Sequence, residues 1–250
     1  MDKDYLIRQA AEQIIKNQPA VALTGAGISV ESGIPDFRGK NGLWVKYDPS
    51  FYAAIDSFYR YPVEVWNMLR EMDNLIANAR PNPAHVGLGT LEKMGLLRHI
   101  VTQNVDNLHQ DAGSGNVTEF HGNSSTLTCP FCSAKYTMKE KRQEFPPRCD
   151  CGKILKPDII FFGEAIPEEA LDTSLKLAAS ARTLIVIGTS AQVTPASSIP
   201  AIAARNNARI IEINKEETWL TEELTDIYLG GNAGEIIPAL VDAAKEMVLK

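Results

Sequence analysis

Little in this sequence points toward a polyanion or a bilayer. Basic residues do not dominate: 25 Lys and Arg stand against 31 Asp and Glu, a net charge of −6. That balance gives no electrostatic reason to bind nucleic acid or acidic lipid unaided. Long apolar runs are also missing. The longest charge-free run, 183–204, contains Gln192, Pro195 and Pro200, so it reads as a buried strand followed by a loop and not as a membrane span. Met1-Asp2-Lys3-Asp4 is charged and leads into an amphipathic stretch instead of a signal-peptide core, so a cytoplasmic protein is expected. Cysteine is scarce, and all four fall between Cys129 and Cys151. Such clustering suggests a metal site in a reducing compartment rather than a disulfide framework. Repeats and low-complexity tracts are absent. The 250 residues, 44% hydrophobic and 22% charged, suit one large domain or a main domain carrying a smaller one.

What is present alternates. Leu6, Ile7, Ala10, Ala11, Ile14 and Ile15 recur at helical spacing, and Asn17 with Pro19 ends the run. Short, nearly continuously apolar strands are expected at 20–24, 99–102, 183–187, 209–213 and 226–229, as in a sheet covered on both faces. Helical patterns at 84–94, 167–181 and 197–206 separate them, and a last helix begins after Asn232, its expected N-cap, with Pro238 in an early turn. The pattern argues for an α/β fold with a doubly wound, Rossmann-like, mostly parallel sheet. Two stretches break it: 39–81, aromatic and then helical, and 124–157, which holds the cysteines. Both read as insertions forming a smaller helical and zinc-ribbon lobe. The large domain is then 1–38, 82–123 and 158–250.

Thr24-Gly25-Ala26-Gly27-Ile28-Ser29 follows a predicted strand. Glycines there let the backbone turn sharply and approach a pyrophosphate. Val30 occupies the third glycine position of G-x-G-x-x-G, and no acidic ribose partner ends the next strand, so dinucleotide binding and a structural turn both stand on these residues. The loop that follows carries Asp36, Phe37 and Arg38, an arginine able to fork onto phosphate and a phenylalanine able to cover a flat ring; a solvated loop with an anchored Phe is the plain alternative. Cys129-Pro130-Phe131-Cys132 and Cys149-Asp150-Cys151 offer four thiolates, a set that suits zinc better than a redox pair or an iron–sulfur centre. With four ligands used, the metal is structural. Gln103, Asn104 and Asp106 end a strand, where ligands of open α/β sheets bind, or else form a simple Asx turn. Ile159-Ile160-Phe161-Phe162-Gly163-Glu164 reads equally as a core strand or an edge for an extended peptide. His85, His99 and His109 read as ordinary surface or core-edge histidines.

The segment from Gly25 to Arg38 closely resembles the first motif of the sirtuins, the NAD-dependent protein deacylases. Thr102-Gln103-Asn104-Val105-Asp106, His121-Gly122, the cysteine cluster and Gly188-Thr189-Ser190 follow in the family's order, and Asn214-Lys215 matches its adenosine-side position. The likeness covers essentially the whole chain and resembles the short bacterial and archaeal form. It implies NAD as a consumed co-substrate and one structural Zn2+, with Cys129, Cys132, Cys149 and Cys151 as ligands; the second half here is C-x-C where C-x-x-C is the commoner family form. It implies His121 as general base, with Asn104 in the catalytic pocket. The cofactor set it implies is Gly25, Ala26, Gly27, Ser29, Glu31, Asp36, Phe37, Arg38, Gln103, Asn104, Asp106, Gly188, Thr189, Ser190, Val193, Asn214, Lys215 and Ala233.

By the same resemblance, Ile159 to Glu164 dock an acetyl-lysine protein or peptide. The acyl oxygen attacks the ribose carbon bearing nicotinamide, an alkylimidate forms, His121 takes a proton from the ribose hydroxyls, and water releases lysine and O-acyl-ADP-ribose. Relatives that prefer succinyl or malonyl lysine carry a Tyr-x-x-Arg pair; Leu69 and Met72 stand at those positions here, and Arg70 would point about a quarter-turn away. Acetyl or other uncharged acyl groups are therefore expected. The competing readings are an ADP-ribosyltransferase or NAD glycohydrolase on the same scaffold, a non-catalytic zinc and nucleotide module, and, least, a dehydrogenase. A monomer without nucleic-acid or membrane partners is expected.

Overall fold

The computed structural model describes residues 2–37, 39 and 42–249. Its main sheet has six strands: β1 (Ala20–Thr24), β2 (His99–Thr102), β3 (Val117–Glu119), β7 (Thr183–Ile187), β8 (Arg209–Asn214) and β9 (Ile227–Gly230). Their order is β3-β2-β1-β7-β8-β9, and every pairing is parallel. The chain winds outward from β1 in one direction and from β7 in the other, so the order reverses between these two neighbours.

Burial on both faces explains the apolar strands. Along β1, Ala20 and Ala22 pack with the helices Lys3–Lys16, Pro83–Lys93 and Ala233–Val248. Val21 and Leu23 face the other way, into the core beneath the helices Glu168–Ser180 and Ser198–Arg205. Side chains alternate sides along a strand, so one unbroken apolar run serves two cores. All five residues of β1, and likewise of β7, are buried. No helix among the described residues is long and apolar enough to cross a membrane.

A second sheet, antiparallel, has the order β5-β4-β6: β4 (Gly122–Thr128), β5 (Lys135–Thr137) and β6 (Lys156–Ile159). With the helix Pro62–Asn78 it encloses a separate core that includes Trp66, Leu69, Leu127, Leu155 and Phe161. The Trp66 indole N–H donates to the Leu155 carbonyl at 2.9 Å, tying that helix to the cysteine-bearing segment. β4 starts at Gly122 and β6 ends at Ile159, so both strands run across the borders expected after 123 and before 158. The joint between the lobes is thus a pair of hydrogen-bonded strands.

Candidate functional site

A cavity of about 850 Å³ opens where the strand order reverses, at the carboxyl ends of β1 and β7. Its floor is main chain. The Gly27 N–H donates to the Gly188 carbonyl at 2.8 Å. A Cβ on Gly27 would lie 2.6 Å from the Gly188 Cα, and Gly188 itself sits at φ +60. Any side chain at either position would push the two loops apart.

The cavity wall includes Gly25, Ala26, Gly27, Asp36, Phe37, Gln103, Asn104, His121, Ile159 through Glu164, Gly188, Thr189, Ser190, Val193, Asn214, Lys215 and Ala233. Residues far apart in sequence are therefore brought together. Arg38 lies outside the described residues. Ser29, Glu31 and Asp106 do not line the wall. Glu31 instead accepts a hydrogen bond from the Gly234 N–H at 2.8 Å, which puts a carboxylate at the amino end of the Ala233–Val248 helix, where an anion is favoured. Asn232 holds the N-cap position there without a side-chain capping bond, its amide donating to Glu235.

Ser29 and Asp106 belong to a buried polar network one hydrogen bond from the wall. Asn104 Nδ2 donates to the Gly25 carbonyl at 3.2 Å and to Ser29 Oγ at 3.1 Å. Ser29 Oγ donates in turn to Asp106 Oδ2 at 2.7 Å, and the Leu108 N–H to Asp106 Oδ1 at 3.0 Å. Burial pushes the Asp106 carboxyl above the ordinary carboxylate value.

Two histidines absent from the expected site complete this network. His85 Nδ1 accepts from the Asn82 N–H at 3.3 Å, so its proton resides on Nε2, 3.4 Å from Ser29 Oγ. His109 Nε2 lies 2.9 Å from Thr24 Oγ1, which donates to Thr102 Oγ1; that hydroxyl accepts from the Asn104 N–H at 3.1 Å. Since the Thr24 proton is committed to Thr102, His109 donates from Nε2, and its buried Nδ1 has no hydrogen-bond partner among the described residues. The two rings touch edge to face, 5.0 Å apart. Burial holds both imidazoles neutral, with pKa values lowered to about 4 for His85 and about 3 for His109. Spacing in the sequence carries no sign of this cluster. The one local signal is Asn82 and His85, which form a capping box around the start of the Pro83–Lys93 helix.

His121 stands on the wall itself. Its Nδ1 donates to the Gln103 carbonyl at 3.1 Å, leaving Nε2 as the bare acceptor. Burial lowers its pKa below 6.5, and the Gln103 carbonyl opposes that in part. Gln103 Nε2 donates to Thr189 Oγ1 at 3.1 Å, bracing the β2 loop against the β7 loop. Phe37 stacks on Trp44 with ring centres 5.0 Å apart, and both rings line the cavity. The wall is otherwise apolar on the small-lobe side, with Leu43, Met68 and Met72. Leu69 is buried in the small-lobe core, and the Arg70 guanidinium lies over the Phe145 ring at 3.8 Å.

Ile160 to Glu164 are pinned by their own backbone. The Ile160 N–H donates to the His121 carbonyl, and the Phe162 N–H to Ala53. Lys156 Nζ meets Glu164 Oε2 at 3.0 Å, and the Phe161 N–H donates to the same oxygen at 2.9 Å. The segment is neither a plain core strand nor a wholly free edge.

The four cysteine sulfurs lie within 4.8 Å of one another, with separations of 3.6 Å (Cys129–Cys151), 3.5 Å (Cys132–Cys149) and 3.7 Å (Cys132–Cys151). A tetrahedron with Zn–S bonds of ~2.3 Å has edges of ~3.8 Å, so the cluster fits a structural Zn2+ and leaves no open position. Ser133 and Gly152, at φ +61 and +82, turn the chain just after each cysteine pair. The C-x-C half is thereby accommodated.

A doubly wound parallel sheet with a glycine-floored cleft at its switch point is the architecture of a dinucleotide-binding protein. The model of the Sir2 family matches residues 25–195, and the chain belongs to that family. It is 43% identical over 250 residues to an NAD-dependent protein deacylase of Pyrococcus abyssi, covering 97% of this chain and 100% of that one. A solved Sir2 homologue in complex with NAD superposes with a TM-score of 0.89 at 40% identity, covering 96% of this chain and 94% of that one. A Sir2 protein solved with a deacetylated p53 peptide and 3′-O-acetyl ADP-ribose gives a TM-score of 0.89 at 36% identity, covering 94% and 97%.

Proposed function

We propose that this chain is an NAD-dependent protein deacetylase, removing acetyl and other uncharged acyl groups from lysine and releasing nicotinamide and O-acetyl-ADP-ribose. The observation that carries this reading is His121. It is a neutral imidazole with Nδ1 anchored to the Gln103 carbonyl, on the wall of the same cavity as the glycine floor.

When bound, NAD supplies the ribose carbon whose bond to nicotinamide is broken. The chain's own groups position the reactants and exclude water. Gly25, Gly27 and Gly188 offer a close-approach floor; Asn104, held by Gly25 and Ser29, presents its amide from a fixed rotamer. Phe37, backed by Trp44, shields the reacting carbon. His121 takes the proton of a sugar hydroxyl at Nε2. Leu43, Met68 and Met72 give the acyl side an apolar lining, and among the described residues no cation stands beside them to hold a second carboxylate. We take the large domain as 1–38, 82–123 and 158–250 and the small lobe as 39–81 and 124–157, with β4 and β6 crossing from one into the other. The chain works as a cytoplasmic monomer on protein substrates; four thiols arranged for metal suit a reducing compartment.

The test is an assay with NAD and either acetyl- or succinyl-lysine peptide. Nicotinamide and O-acetyl-ADP-ribose should form with the acetyl peptide and only slowly with the succinyl peptide. His121→Ala should lower turnover by roughly 10²- to 10⁴-fold. Bare ADP-ribose, or ADP-ribose attached to protein, would replace this reading with a glycohydrolase or a transferase.

A further inference from the structure

Glu212, in the middle of β8, is fully buried. Among the described residues, four neutral side chains donate to it. Oε1 accepts from Thr218 Oγ1 at 2.7 Å and from Asn214 Nδ2 at 3.0 Å. Oε2 accepts from Thr221 Oγ1 at 2.7 Å and from Thr225 Oγ1 at 2.9 Å. All four donors point inward, which matches the acceptor-only capacity of a carboxylate. A buried anion is unfavourable unless it is fully hydrogen-bonded, and here three threonines within eight residues of one segment, 218–225, converge on it.

The donors lead to the cavity. Asn214 Nδ2 also donates to the Thr189 carbonyl at 3.0 Å, and Trp219 Nε1 to the Ala191 carbonyl at 2.9 Å. Ala191 is held at φ +47, so the β7 loop has an unusual backbone that these bonds secure. Thr189, Asn214 and Thr218 all line the cavity, whereas Glu212, Thr221 and Thr225 do not.

We infer that Glu212 is a positioning residue for the dinucleotide. Its carboxylate gathers the segment after β8 and, through Asn214, locks that segment to the loop after β7, so that both loops meet the adenosine side of the cofactor already in place. This rests on the reading of the cavity as the NAD site.

The experiment measures the Kd of NAD by calorimetry on the whole chain without peptide, alongside the KM of an acetyl peptide. The double variant Thr221→Val, Thr225→Val keeps side-chain shape and removes both donors to Oε2. It is expected to weaken NAD by about tenfold, equivalent to ~1.4 kcal/mol, with the peptide KM moving less than about twofold. Glu212→Ala should weaken NAD at least as much. Glu212→Gln should restore most of the affinity, because its amide oxygen still serves Asn214 and Thr218 while the other hydroxyls rotate to accept. An unchanged Kd in the double variant, whatever its Tm, overturns the inference. So does an equal rise in the Kd of NAD and the peptide KM. Failure of the wild-type chain to bind NAD would refute the cofactor reading itself.

Discussion

Acidification should strike this protein at the pair of buried histidines. His85 and His109 each carry a free-chain pKa near 6.5 that burial lowers in the fold, to about 4 and about 3 respectively. Between those limits the unfolded chain binds protons that the folded chain refuses, so stability falls as pH falls. At pH 5 both rings remain neutral in the fold, while the unfolded chain is 1.5 pH units below its midpoint. At ~1.36 kcal/mol per unit, each ring then removes about 2 kcal/mol, and the pair about 4 kcal/mol. His121 and His99 are also lowered by burial and act in the same direction. Asp106 and Glu119, raised by burial, act in the opposite sense as pH approaches their folded values. A difference measurement removes these other groups. Urea unfolding at pH 7 and pH 5 should show a loss that is about 2 kcal/mol smaller in His109→Gln, whose amide can still donate to Thr24. An identical pH dependence in wild type and variant, or a His109 NMR titration with a midpoint near 6.5, would refute the argument.

Three further outcomes follow from the site. Because burial lowers the His121 pKa, its base form persists below pH 6.5, so the acidic limb of kcat/KM should fall below that value; a limb above pH 7 would assign the base elsewhere. Chelation of the metal should release one zinc per chain and unfold the small-lobe sheet, with loss of activity; Cys149→Ser should bind zinc less tightly, as read by a colorimetric chelator. Gly27→Ala, whose Cβ would press on the Gly188 Cα, should destabilise the fold by about 1–3 kcal/mol and weaken NAD, measured by thermal melting with and without cofactor.

The main sheet was legible because covered strands are mostly apolar, with Glu212 in β8 the buried charged exception. β1, β2, β7, β8 and β9 therefore stood out, whereas β3, the three-residue edge Val117–Glu119, had too little pattern to be read. β4 is largely polar, and its pairing with β5 and β6 depends on the fold of the cysteine segment, so the small sheet was visible only as a zinc-bearing insertion. His121, Asn104 and the glycines were recognisable because each sits in a motif at a strand end. His85 and His109 were not, since their neighbours Ser29 and Thr24 lie 56 and 85 residues away along the chain. Glu31 illustrates the converse: a motif position suggested a ligand contact, while the carboxylate holds a helix terminus.

The backbone-on-backbone contact between Gly27 and Gly188 also limits how this enzyme can be redesigned. Where two bare chains abut, there is no side chain to trim, so no hole can be carved in this floor for a bulkier cofactor analogue. An orthogonal cofactor would have to be accommodated at the outer rim, where Lys215, Glu216 and Glu217 are exposed and replaceable.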